Sequence, residues 1–502
     1  METTTFNLTQ RLSKTRFLSA RQCLLKLWYE SHARDLATPP DPITEAIFRS
    51  GHEVGRLARS RYPGGHCVEW DHRHGVEAVS ETAGRMADVG VPAVYEAAIE
   101  YGGVLIRADV LQREDDGWAL IEVKSSTRCK DIHLPDVAVQ LWVLRGAGVM
   151  VKRAGVLTLN RNYVYDGEAL DVEQLFVFHD LTEAAGAMLD DIGDGVERFQ
   201  GMLAGDAPLI SPGAHCFDPY DCPFYAHCTR NAIFPQHPLS ELPKLYAGKR
   251  EELEAAGVTD VRDVPEDFGL SPLQSVVRQC VISGDERVHG DLSAALSRVV
   301  LPVYHLDFET LSAAIPRFAG TRPYDSVPFQ FSVHVEQADG TVSHTEYLHG
   351  DSSDPREPLA LALLDALGET GSICVYTGFE ARVIRDLAAA LPELAPRLEA
   401  LPERIWDLHP VIRNNYYHPG FRGSFSIKQV LPALIPQMSY DKLEIGDGAL
   451  ASISYEQALQ SEDPAEEQRI FRALREYCEQ DTLALVRLRG VLAGRAPQYT
   501  AG

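Results

Sequence analysis

Two spacings of apolar residues alternate along this chain, and the switches between them mark its elements. Apolar positions three and four apart predict helices over Thr15–Glu30 and Thr44–Tyr62. Strand-like patterning predicts strands over Glu96–Leu111 and Trp118–Lys124, split by the turn-like Arg113–Gly117. A helix over Asp136–Leu144, a strand over Gly155–Leu159 and a helix over Thr182–Leu203 follow. Residues 236–298 are turn-rich, with one helix over Lys249–Ala256, and are expected to be a helical spacer rather than a helix–hairpin–helix-like module that holds a DNA backbone. Beyond them the pattern predicts strands at 300–306, 328–336, 342–348 and 372–376, and helices at 357–369, 379–390, 426–434 and 464–493. Strands interleaved with helices argue for the α/β class. At 502 residues the chain exceeds one domain. The expected parts are 1–235, a helical connector at 236–298, and 299–502.

Composition narrows this picture. Hydrophobic content of 45% is ordinary for globular domains. No run of eighteen apolar residues predicts a membrane span. Met1 to Gln10 has no apolar stretch of the secretory kind, so a cytoplasmic protein is expected. The net charge of −25 excludes a histone-like cationic coat but not a local basic groove that tracks nucleic acid.

Chemistry enters with Asp307 and Glu309 in His-Leu-Asp-Phe-Glu-Thr, just after the apolar run Val299-Val300-Leu301. Side chains two apart on a strand share a face, roughly 7 Å from each other. Two carboxylates so placed repel, and a divalent cation removes that cost. Tyr477 and Asp481 are i and i+4 on a predicted helix, hence on one helix face. Between Glu309 and Tyr477, Val375-Tyr-Thr-Gly-Phe-Glu380 reads as a strand leading into a helix. Four carboxylates can hold two Mg²⁺ or Mn²⁺ ions for phosphodiester hydrolysis. These segments resemble the three exonuclease motifs of DnaQ-like, DEDDy-type 3′–5′ exonucleases, which have an RNase H-like fold. The resemblance implies Asp307, Glu309, Glu380 and Asp481 as metal ligands, and Tyr477 as the residue that orients or deprotonates water. Glu380 stands where that family carries Asp, and Asp407 is the substitute ligand. Tyr416, Tyr417, His418 and Ser424 to Lys428 are candidates for substrate contact.

A second constellation lies upstream. Asp109 precedes Glu122-Val-Lys124, in which Glu122 and Lys124 share a strand face. Two acids and a lysine can hold one metal and steady a pentavalent phosphate. This resembles the core of the PD-(D/E)XK nucleases. That family implies Glu96 as an additional acidic ligand, and Gln140 matches the glutamine of its RecB-type members. Their helix histidine is replaced by Gly55, with His52 or Glu53 as substitutes. Cys216, Cys222 and Cys228 are evenly spaced, a pattern that in a reducing cytosol suggests a metal or iron–sulfur site rather than disulfides. With Cys23 they resemble the 4Fe–4S clasp of AddB-type and CRISPR-associated RecB-like nucleases; structural Zn²⁺ is the alternative.

The expected architecture is therefore an N-terminal restriction-endonuclease-like domain joined to an RNase H-like domain. The expected activity is 3′–5′ exonuclease action on single-stranded DNA ends, with a second nuclease centre upstream. Resemblance alone suggests repair or anti-phage partners such as a helicase. The open alternatives are one active centre with the other a nucleic-acid clamp, an RNA substrate, or a non-catalytic adaptor.

Overall fold

The computed structural model describes residues 11–69 and 75–495, so the reading of Met1 to Gln10 lies outside the described residues. The chain is α/β and forms two compact units, Met1–Ala232 with Ala313–Asp325, and Ile233–Ser312 with Ser326–Gly502. This revises the three-part expectation. Segment 236–298 folds into the second unit, where Arg287–Val288 pairs antiparallel with Tyr416–Tyr417. Among the described residues, no helix is long and apolar enough to cross a membrane.

The first unit is built on a mixed sheet. Its strands run in the order His66–Cys67, Ala93–Tyr101, Val104–Glu114, Gly117–Lys124, Val151–Leu159 and Phe176–Asp180, with Leu12–Ser13 beside Val104. The single strand expected over Glu96–Leu111 is instead a hairpin. It turns at Gly102 and Gly103, whose φ values of 58° and 74° suit glycine alone. The helix expected over Thr15–Glu30 is two helices, Lys14–Gln22 and Leu24–His32, because Cys23 is extended (φ −161°, ψ 123°). Thr182–Leu203 is likewise broken, into Thr182–Gly186 and Leu189–Leu203. Phe17, Val137, Leu141 and Phe199 pack on one sheet face. Val54 and Ala58 pack against Ile121 and Leu157 on the other. Burial from both sides explains why Trp118 to Ile121 is continuously apolar. Ala313–Asp325 completes this unit, with the Tyr324 hydroxyl donating to the Ser125 carbonyl at 2.6 Å.

The second unit contains a five-stranded sheet in the order Val342–Leu348, Val327–Glu336, Val303–Leu311, Ser372–Val375 and Ile405–Asp407. The first three strands are antiparallel and the last two run parallel to Val303–Leu311. The central strand starts at Val303 rather than at residue 300. Val300 and Leu301 are exposed, and Pro302, which has no N–H, stands between them and the ladder. Asp307 and Glu309 thus lie within the strand. Alternation gives this sheet two unlike faces. Leu306, Phe308, Phe331 and Val333 pack on helices Arg356–Ala366 and Phe379–Ala390. His305, Asp307, Glu309, Gln330, Ser332, His334 and Glu336 occupy the opposite face, where the 32-residue helix Pro464–Arg495 packs.

One close approach in the first unit is testable. A Cβ on Gly155 would lie 2.1 Å from the His179 carbonyl oxygen on the paired strand. Gly155→Ala is therefore expected to cost about 2 kcal/mol of stability. An unchanged urea midpoint by circular dichroism would show that this strand pair opens without cost.

Candidate metal centres

In the second unit, three elements bring acids together. The central strand supplies Asp307 and Glu309, the first turn of helix Phe379–Ala390 supplies Glu380, and the long helix supplies Tyr477 and Asp481. A cavity of ≈ 340 Å³ is lined by Asp307, Glu309, Tyr376, Phe379, Tyr477 and Asp481. Glu380 sits behind it, with its carboxyl hydrogen-bonded to Asp307. Thr377, just before that helix, has φ 120°, an unusual backbone state for a β-branched residue and one that sets the strand-to-helix turn.

The electrostatics follow from burial of like charges. Burial, then Asp481, Glu309 and Glu380, push Asp307 well above the carboxylate range. Burial and Asp481 do the same to Glu309, with partial relief from Lys428. Glu380 rises to about 8, through burial and the nearby Asp407. Asp481 rises to about 6 through burial, held back by hydrogen bonds from Tyr440 and Tyr477 and by Lys428. Burial and the same acids push the Tyr477 phenol strongly upward, so it stays protonated and donates. Glu380 Oε2 is buried without a hydrogen-bond partner. Buried carboxylate oxygens with one such orphan fit a hard divalent cation.

Other residues differ from expectation. Asp407 Oδ1 accepts from the Thr377 and His409 amides at 3.0 and 2.9 Å, so it caps a helix rather than substituting for Glu380. Tyr416 and Tyr417 are fully buried, with no ring surface open for contact. Cys478, isolated in sequence, has Sγ 3.9 Å from Asp307 Oδ2. Sequence reasoning missed Tyr440, whose hydroxyl donates to Asp481 Oδ1, because nothing in its local pattern marks it.

In the first unit, the ladder between Val104–Glu114 and Gly117–Lys124 runs only to Val110↔Ile121. Past that point Asp109 Oδ2 accepts the Val123 amide at 2.7 Å. This side chain–backbone bond lies beside Glu122 and Lys124. Glu122 is buried and accepts from Lys14 at 2.7 Å, Lys124 at 2.8 Å and Gln140 at 2.8 Å. Asp136 pairs with the same two lysines, at 3.3 Å from Lys14. Burial alone would lower the pKa of Lys14; Glu122, Asp136 and Asp109 outweigh it and raise it. Glu122 is held well below the carboxylate range because Lys14 and Lys124 outweigh its burial. Asp109 rises to about 7, through burial and Glu122. Lys14 and Asp136 were not anticipated.

Glu96 is not an open ligand. Its ladder neighbours pair as Tyr95↔Val110 and Ala97↔Ala108, its φ is 53°, and both carboxylate oxygens bind arginines, Arg59 and Arg107, at 2.6 Å. His52 and Glu53 are exposed on the helix Pro42–Arg59.

Cys23, Cys216, Cys222 and Cys228 line one small cavity with Tyr29, Phe224 and Tyr225. The break between the first two helices puts Cys23 there. Gln22 ties the two chain segments together by donating to the carbonyls of His215 and Tyr220, at 2.9 and 2.6 Å.

A family profile described as a domain of unknown function (DUF2779) matches residues 304–426. That span includes Asp307, Glu309 and Glu380 but stops short of Tyr477 and Asp481. No curated protein and no solved structure matches the chain.

Two expectations follow. An acid with a raised folded pKa binds its proton more tightly when folded, so stability falls as pH rises from its unfolded value near ~4 towards its folded value. In chelator, the second unit should lose stability across the range through about 6 for Asp481 and about 8 for Glu380. Mn²⁺ should restore it; melting curves that ignore both pH and Mn²⁺ would contradict the electrostatic account. In the first unit, Lys14→Met removes one of the cations on Glu122. It should destabilise the metal-free unit by about 3 kcal/mol and raise its Mn²⁺ affinity, which calorimetry in an Asp307→Asn background would read.

Proposed function

We propose that this chain is a metal-dependent nuclease whose second unit trims single-stranded DNA from the 3′ end. The observation that carries the reading is the convergence of Asp307, Glu309 and Asp481, with Tyr477, on one cavity, and of Glu380 on Asp307 by a hydrogen bond. Strand order and direction support an RNase H-like sheet: three antiparallel strands, then two parallel to the first. Mg²⁺ or Mn²⁺ held by these acids would supply Lewis-acid polarisation and an activated water. Tyr477, a hydrogen-bond donor at the cavity wall, would orient the attacking water. Tyr376 and Phe379 offer faces for stacking the terminal base. At ≈ 340 Å³ the cavity suits one unpaired nucleotide end, near the floor of the ~300–1,000 Å³ range of ligand sites.

The first unit is read as a PD-(D/E)XK-type centre of Asp109, Glu122 and Lys124. Its mixed sheet, and Gln140 on Glu122, support that reading. The four cysteines are read as the ligands of a 4Fe–4S cluster that ties the unit's ends together. Zinc would need sulfurs about 3.8 Å apart, from a Zn–S bond of ~2.3 Å. Among the described residues, the ligand groups that close to within 4.8 Å are His334, His344 and Glu479, and Asp307, Glu309 and Cys478, and do not include these thiols. Thiol-ligated iron in turn favours the reducing cytoplasm. A second reading, with only the C-terminal centre active, is favoured by the lysines that occupy Glu122.

The test is an assay on end-labelled single- and double-stranded DNA and RNA with Mg²⁺ or Mn²⁺. Asp307→Ala should cut stepwise 3′ trimming at least about a hundredfold, since even indirect support of a metal is worth ~10–100-fold. Undiminished mononucleotide release from that variant would sink the proposal, and Glu122→Ala reports the other centre. Cys222→Ser should lose iron and the brown colour of anaerobically purified protein; an iron-free wild type would reject the cluster.

A further inference from the structure

The polar face of the second unit's sheet carries a row of histidines outside the acid cluster. His305, His334 and His344 stand opposite one another on three adjacent strands. The rings of His334 and His344 are 4.5 Å apart between centroids, at 31°. Glu479, on the helix that packs against this face, places Oε1 3.8 Å from His344 Nδ1. One donor atom from each of His334, His344 and Glu479 falls within 4.8 Å of the others.

The surroundings orient this trio. Thr482 Oγ1 lies 2.8 Å from His334 Nδ1, and Ser332 Oγ lies 2.9 Å from His344 Nε2. Those contacts leave His334 Nε2 and His344 Nδ1 as the free lone pairs, and outer hydrogen bonds of this kind fix metal-binding imidazoles. Burial, with His344 and His305 nearby, lowers the His334 pKa to about 4, so its ring is neutral at physiological pH. His344 and Glu479 are exposed, which gives an ion a route in and a solvent position.

We propose that His334, His344 and Glu479 form a separate site for a first-row transition ion, with Zn²⁺ the expected occupant. Two imidazoles and one carboxylate prefer such ions to Mg²⁺. Zn–N bonds of ~2.0 Å require donors about 3.3 Å apart, a small closure of side chains with freedom to move. The ion clamps the edge strand Val342–Leu348 to the long helix, one ladder step along from Asp307. The site is independent of the exonuclease reading, because it shares no ligand with the acid cluster.

The experiment titrates Zn²⁺ into full-length protein in excess Mg²⁺, comparing wild type with His344→Ala and Glu479→Gln. Both residues are exposed, and far-ultraviolet circular dichroism verifies the fold. Wild type should bind one more equivalent than either variant and gain more thermal stability from Zn²⁺. With Co²⁺ it should show ligand-field bands that both variants lack. Thiolate charge-transfer bands from the cysteine cavity should be the same in all three. Equal stoichiometry, spectra and thermal shifts across the three proteins would overturn the proposal.

Discussion

Burial of charge of one sign is the constraint on which the second unit is organised. At an effective dielectric near 20, two carboxylates ~4 Å apart repel by about 4 kcal/mol; here Asp481, Glu309 and Glu380 raise the pKa of Asp307, and Asp481 raises that of Glu309. Asp307 and Glu309 lie on the polar face of the sheet, and Asp481 on the helix packed against that face. A ladder of polar rungs joins the face to the helix. Gln330 Nε2 donates to the Leu474 carbonyl at 3.0 Å, Ser332 and His334 meet Thr482, and Glu336 pairs with Arg489. These contacts hold the long helix in register, and with it Tyr477 and Asp481. The apolar face does the opposite job, supplying burial around Leu306, Phe308, Phe331 and Val333. One strand thus serves stability with its even positions and chemistry with its odd ones.

The two acid sites solve the same problem in different ways. In the first unit, Asp109, Glu122 and Asp136 face Lys14 and Lys124, so the cluster carries its own counterions. A cation arriving there must displace an ammonium group already bonded to Glu122. In the second unit Lys428 acts as a nearby charge, and the tyrosines Tyr440 and Tyr477 donate hydrogen bonds to Asp481. On the proposed reading, the second centre would therefore have the greater drive to take up a divalent ion, and the first would take one up only where the ion competes with Lys14 for Glu122.

Much of this was legible in the sequence, and what was not has local causes. The period-two alternation around Asp307 put both acids on one face, and the i, i+4 relation put Tyr477 beside Asp481. Helices 379–390 and 464–493 were read within two residues of Phe379–Ala390 and Pro464–Arg495. Strand limits failed where one residue overrides the pattern, at Pro302 and at Gly102-Gly103. Cys23 breaks a helix whose composition gives no warning. The partners Lys14, Asp136 and Tyr440 reach their acids by tertiary folding from other parts of the chain, and no local spacing encodes that. Glu96 misled for the opposite reason: its position opposite Asp109 suits a ligand, but Arg59 and Arg107 claim it.

The glutamate at 380 is explained by where its helix begins. Thr377, whose backbone N–H donates a hydrogen bond to Asp407 Oδ1 and whose φ is 120°, precedes the helix that starts at Phe379. Glu380 then lies in the first turn, where exposed amides favour a negative charge. From that position its carboxyl, with the extra methylene, hydrogen-bonds Asp307 while Oε2 stays unpartnered. Burial with Asp407 close by lifts it to about 8, so this acid holds its proton at neutral pH. On the proposed reading, ligation of a cation by Glu380 would release that proton. Glu at this position would then keep the donor set and make cation uptake depend on pH in the neutral range.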